Sequence, residues 1–185
     1  NTFEMLQAAG KDGWLAEARQ VVSPNHDERP PDARVRLIVI HSISLPPGRF
    51  GGEAIEQLFT NRLDPAADPY FREVYRLRVS AHFLVRRDGQ LLQFVATSRR
   101  AWHAGASCWR GRERCNDFSI GIEVEGADDQ DFTASQYERL ATLVRRLRER
   151  HPVEAIVGHA DIAPGRKTDP GPHFDWRLLR ELTDD

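Results

Sequence analysis

Arg36-Leu-Ile-Val-Ile-His41 is an almost unbroken apolar run that ends on an imidazole. A strand with one wet face alternates apolar and polar residues, whereas a strand covered on both faces has no need to. The run therefore predicts a central strand held between two layers. That requirement constrains the fold more than any other stretch of the chain. With 185 residues, 40% of them apolar, there is enough material for one domain with a substantial core.

The remaining pattern supplies the layers. Residues 79–86 and 90–96 flank Arg87-Asp88-Gly89 and read as an antiparallel hairpin. Residues 118–125 read as another strand, with Ile120, Ile122 and Val124 on one face and Gly121, Glu123 and Glu125 on the other. Helical spacing of Ile55, Leu58, Phe59 and Leu63 predicts a helix over 53–63. Thr133-Ala-Ser-Gln136 resembles a capping box, and Tyr137, Leu140, Ala141, Val144 and Leu147 form the apolar stripe of the helix it opens. A short strand over 153–157 and a terminal helix over 174–182 complete an α/β fold, a mixed central sheet flanked by helices. Pro24, Pro30 and Pro31 limit regular structure in residues 1–34, read as a peripheral N-terminal segment pinned to the body by Trp14 and Leu15. Residues 35–185 form the single main domain.

Charge narrows the function classes. Lys plus Arg is 26 against 28 Asp plus Glu, a net charge of -2, so no global signal points to nucleic acid. A local anion patch around Arg110, Arg112 and Arg114 competes with ordinary surface ion pairing. No apolar run reaches membrane-spanning length. The first residues lack the basic-then-apolar order of a secretion signal, so the expected compartment is the cytoplasm and the expected state a monomer. Cys108 and Cys115 form no CxxC pair and are expected to be free thiols.

Chemistry concentrates where apolar strands end. His41 closes one run, and the 153–157 strand leads into His159-Ala-Asp-Ile-Ala-Pro-Gly-Arg-Lys167-Thr-Asp169. Two imidazoles and a carboxylate satisfy a catalytic zinc that keeps one position open. Taken singly, each histidine has a backbone-capping alternative and Asp169 a loop-pinning one. Lys167 is either an oxyanion stabiliser or a solvated side chain. Glu123 interrupts an apolar strand, so its carboxylate either makes a buried pair or serves a reactive pocket as a base. Glu125, on the same face, has an equal claim. His82 reads as a hydrogen-bonded core residue, and His103 as a substrate contact or an exposed turn. Trp102 and Trp109 fit a sugar face or a packing role. Arg78 and Arg114 fit a carboxylate partner or structural ion pairs.

Ordered motifs sharpen these alternatives. His41-Ser-Ile-Ser-Leu-Pro-Pro-Gly48, Val79-Ser-Ala-His82, Arg87-Asp-Gly89, Ala101-Trp-His-Ala-Gly105, the block from Gly111 to Glu123 and the block from Gly158 to Pro172 together span most of the chain. In this order the sequence resembles the AmpD family of zinc-dependent N-acetylmuramyl-L-alanine amidases. The resemblance implies the fold shared by these amidases and peptidoglycan-recognition domains. It implies His41, His159 and Asp169 as zinc ligands, Glu123 as the base and Lys167 as the electrostatic assistant. It further implies soluble anhydro-muropeptides as substrates, with Arg78 and Arg114 near the lactyl and peptide groups and the amide between the lactyl group of 1,6-anhydro-N-acetylmuramic acid and L-alanine as the bond cleaved; Ser42 and Trp102 are the further substrate contacts expected. A muropeptide-recognition domain without activity and an amidase for intact peptidoglycan are the competing functions. One departure stands out: the family pattern usually has asparagine after the first histidine, and this chain has Ser42. Losing the amide's donor and acceptor there costs about 1–3 kcal/mol if nothing replaces them.

Overall fold

The computed structural model describes residues 13–184. In chain order the strands are β1 (Arg19–Gln20), β2 (His26–Glu28), β3 (Leu37–Ile43), β4 (Phe83–Val85) and β5 (Leu91–Gln93). They continue as β6 (Arg99–Ala101), β7 (Cys108–Trp109), β8 (Arg112–Glu113), β9 (Ser119–Glu125) and β10 (Ala155–Gly158). The helices are α1 (Ala54–Phe59), α2 (Phe71–Val74), α3 (Ala134–Arg150), α4 (His159–Ile162) and α5 (Trp176–Leu182).

Six strands form the main sheet in the order β1-β5-β4-β9-β3-β10. β4, β9, β3 and β10 run parallel, and β5 is antiparallel to β4. β3 is interior and Leu37 to Ile40 are wholly buried, which explains why its sequence does not alternate. Ile38 and Ile40, with Ile120, Ile122 and Val124, pack against Tyr137, Leu140 and Val144 of α3. Leu37 and Val39 face the other way, towards Phe118 and Ile162. Each large side chain so buried stabilises the fold by about 1.5–3 kcal/mol. The mixed sheet covered by helices is therefore the observed architecture.

α3 begins where the capping box is written. The Gln136 N–H donates to Thr133 Oγ1 at 3.1 Å, and the Thr133 N–H donates to Gln136 Oε1 at 3.0 Å. Gln136 Nε2 also donates to the Glu125 carbonyl at 2.7 Å, joining the helix start to the end of β9. Other boundaries moved. The helix expected over 53–63 stops at Phe59, where the Thr60 hydroxyl bonds back to the Glu56 carbonyl and Asn61 takes φ 61°. The hairpin keeps its turn but pairs only Phe83–Val85 with Leu91–Gln93 as strand. The terminal helix starts later, with Asp175 accepting from the Leu178 N–H.

The proline-bearing lead-in is woven into the body from Gly13 onward. β1 pairs with β5, β2 pairs with β6, and Leu15 lies in the core. Its prolines fall between or after these short strands, where no ladder donor is needed. Both cysteines are free, Cys108 exposed and Cys115 buried. Among the described residues no helix is long and apolar enough to cross a membrane.

Candidate metal centre

Parallel strands bring their carboxyl ends to one edge, the place where α/β sheets display reactive groups. Here that edge is built from β9, β3 and β10. His41 pairs in register with Glu123, and Ile40 with Gly158, so His159 follows β10 at the level of His41. The segment after β10 opens with the single turn α4, whose first residue is His159, and the Gly158 N–H donates to Asp161 Oδ2 at 2.7 Å. The chain then returns, and the Ala160 N–H donates to the Asp169 carbonyl at 3.0 Å, seating Asp169 beside both histidines.

The donor atoms of His41, His159 and Asp169 lie within 4.8 Å of one another. His41 Nδ1 is 3.0 Å and His159 Nδ1 3.3 Å from the Asp169 carboxylate. Tetrahedral zinc ligands stand roughly 3–3.5 Å apart, so this spacing suits the ion. The hydrogen-bond logic agrees. His159 Nε2 is 2.8 Å from the Ala104 carbonyl, which can only accept, so the hydrogen sits on Nε2 and a lone pair on Nδ1 faces the carboxylate. Two acceptors that close require a positive charge between them. Burial lowers the pKa of His41 against the pull of its hydrogen bond to Asp169, which disfavours a proton there. Burial raises the Asp169 pKa, but the two imidazoles beside it, His159 and His41, outweigh it and keep the group a carboxylate. Neutral imidazoles with an anionic carboxylate are a zinc ligand set.

Glu123 lies beside this triad, its Oε1 3.9 Å from His41 Nδ1. Its Oε2 is buried without a hydrogen-bond partner. Burial, then the negative charge of Asp169, pushes its pKa well above the usual carboxylate range, with Lys167 opposing. Glu125 is occupied: it accepts from Arg86 Nη1 at 3.1 Å and from the Gly51 and Arg87 N–H groups at 2.9 and 3.2 Å. Strand periodicity cannot separate these two glutamates; their partners do.

The triad opens into a cavity of about 640 Å³. Ser42, Trp102, Glu123 and the exposed Lys167 line it, together with an apolar wall that includes Leu45, Phe59 and Val74. Trp102 Nε1 is a further buried donor without a partner. Arg78 is not in the lining, although its neighbours Leu77 and Val79 are; its guanidinium donates to the Arg76 and Leu77 carbonyls. Arg114 also falls outside the lining, exposed at φ 58° before the 3-10 turn Cys115–Phe118. His82 is wholly buried, with Nδ1 accepting from the Gly121 N–H and Nε2 donating to the Arg99 carbonyl. His103 is no exposed turn: its ring contacts His41 at 2.8 Å. The available signal was Gly121, a glycine in mid-strand, which marks a close approach by another group. A Cβ on Gly121 would stand 2.4 Å from His103 Cγ.

Strand ends that gather such donors beneath a cleft are the framework of a metal-dependent amidase. The chain belongs to the N-acetylmuramoyl-L-alanine amidase family, whose profile matches residues 31–172. It is 57% identical over 173 residues to the 1,6-anhydro-N-acetylmuramyl-L-alanine amidase AmpD of Citrobacter freundii, covering 92% of each chain. The crystal structure of a selenomethionine AmpD derivative superposes with a TM-score of 0.91 at 56% identity, covering 92% of this chain and 97% of that one. AmiD of Escherichia coli, solved with the substrate anhydro-N-acetylmuramic acid-L-Ala-D-gamma-Glu-L-Lys, is 31% identical with a TM-score of 0.60, covering 84% of this chain and 60% of that one.

Proposed function

We propose that this protein hydrolyses the amide between the lactyl group of 1,6-anhydro-N-acetylmuramic acid and L-alanine in soluble muropeptides. The observation that carries the reading is Glu123: a buried carboxyl with a free oxygen beside three zinc-type donors at the base of a cleft. His41, His159 and Asp169 would hold the ion, which when bound supplies Lewis acidity to the water and to the scissile carbonyl. Glu123 takes the proton from the attacking water and returns it to the departing L-alanine nitrogen. Burial, with the charge of Asp169, raises its pKa, which favours holding the proton between the two transfers. Lys167 offers positive charge to the oxygen on which negative charge develops. Trp102 lends a ring face and an unpaired N–H to the sugar, and Ser42 a hydroxyl to orient the substrate. Arg78, next to lining residues, and Arg114 are the candidates for substrate carboxylates. On this reading the protein works in the cytoplasm, as a monomer, in the recycling of peptidoglycan fragments.

The test is a comparison of substrates. Zinc-loaded protein is expected to release L-alanyl peptide from anhydro-muropeptide and to leave intact sacculi largely uncut. Binding without release would make it a recognition domain. Faster cleavage of sacculi would make polymeric peptidoglycan the substrate.

A further inference from the structure

We propose that His103 is a positioning residue that fixes the ring of His41 for metal binding, within an outer cradle made by the step His103–Ala104. The inference rests on the reading of His41 and His159 as ligands. His103 Nδ1 is 2.8 Å from His41 Nε2, and His103 Nε2 is 3.0 Å from the buried Ser119 hydroxyl. An ion on His41 Nδ1 obliges the hydrogen to sit on Nε2, which then donates to His103 Nδ1. The His103 hydrogen is thereby placed on Nε2 and donates to Ser119 Oγ. With an ion so held, one tautomer of each ring satisfies the whole chain. The next residue serves the other imidazole, because the Ala104 carbonyl accepts from His159 Nε2. A two-residue step thus orients both rings.

The step itself is clamped. The N–H groups of His103 and Ala104 both donate to Asn116 Oδ1, at 3.1 and 2.9 Å, and Asn116 is buried. Arg166 Nη2 donates to the Ala104 carbonyl at 2.7 Å from the outside. Beneath the ring, β9 has Gly121, where any Cβ would collide with His103. Glycine weakens a strand interior, so its presence here is best explained by the ring it admits. A space-filling role alone would not require a polar partner at each ring nitrogen.

Outer hydrogen bonds of this kind typically govern metal affinity by about 10–100-fold. The experiment measures the zinc dissociation constant by chelator competition, the visible spectrum of the cobalt-substituted protein and the melting point of the metal-free protein. It compares wild type with His103→Leu, His103→Asn and Ser119→Ala. His103→Leu is expected to weaken zinc binding by about 10–100-fold and shift the cobalt spectrum. His103→Asn, whose Oδ1 can replace the Nδ1 acceptor, is expected to recover most of the affinity. Ser119→Ala is expected to lose about 3–10-fold, a smaller share of the same effect, and serves if His103→Leu does not fold. Wild-type affinity and spectrum in His103→Leu or Ser119→Ala, with only KM raised, would overturn the proposal in favour of substrate contact. A drop in the metal-free melting point with unchanged zinc affinity would reduce His103 to packing. Wild-type protein that takes up no zinc would instead remove the metal reading on which this role depends.

Discussion

β9 carries two glutamates on one face, and they end in opposite circumstances. Glu125 meets a guanidinium and two backbone N–H groups, so its charge is matched and its lone pairs are used. Glu123, two residues earlier, has a carboxylate neighbour and an oxygen with no partner. Both are largely shielded from water, so burial does not distinguish them. What differs is compensation: a matched carboxylate holds structure together, while an unmatched one stores the capacity to exchange a proton. The Arg86 region anchors the loop at the cleft rim through Gly51 and Gly52; the His41 region leaves room for chemistry.

Exchanging each carboxylate for its amide tests that contrast most directly. Glu123→Gln is expected to lower kcat by about 10²–10⁴-fold. Zinc content should stay at the wild-type level, and denaturant unfolding should show equal or greater stability. Turnover at the wild-type rate in a folded, zinc-loaded variant would erase the proposed distinction. Glu125→Gln should act the other way, costing about 1–3 kcal/mol by removing the nearer of the two carboxylates on Arg86 and leaving it only Glu56, at 3.4 Å. Its activity per folded molecule should stay within a few-fold of wild type.

An effect confined to acid pH extends the comparison to a satisfied neutral group. Burial pushes the His82 pKa down to about 3, with the charge of Arg29 next in weight. Between pH 6.5 and about 3 the unfolded chain binds a proton at this residue that the folded chain refuses. Stability therefore falls as pH falls through that window, by up to about 1.4 kcal/mol per unit. His151, lowered to about 4 mainly by burial, adds to the same limb. His82→Asn should be less stable at neutral pH yet show a flatter acid limb in denaturant unfolding, and an unchanged slope would show that His82 is not the group responsible.

Much of this was readable along the chain where the cause is local. The unbroken run at residues 37–40 announced an interior strand, and Thr133 and Gln136 announced the start of α3, because covering layers and caps act on adjacent residues. His41, His159 and Asp169 were legible as types of ligand following apolar strands. Other features depend on distant neighbours. The strand residues Arg19 and Gln20 are set by pairing with Leu92 and Gln93, which no short window of sequence contains. His103 depends on Gly121 and Ser119, contributed by a different strand. The choice between Glu123 and Glu125 depends on Arg86, far upstream. The cavity lining includes Trp102 and Ser42 but neither Arg78 nor Arg114, a distinction of side-chain direction that residue type does not encode.

His41 and Asp169 stand 128 positions apart in the chain. Any ion they share is consequently a cross-link closing most of the polypeptide into one ring. In the loop-closure picture, such a tie removes several kcal/mol of freedom from the unfolded chain. The beneficiary is β10, the marginal strand, which among the described residues has β3 as its sole sheet neighbour. Scarcity of zinc would thus loosen the sheet's outer border as well as silence its chemistry.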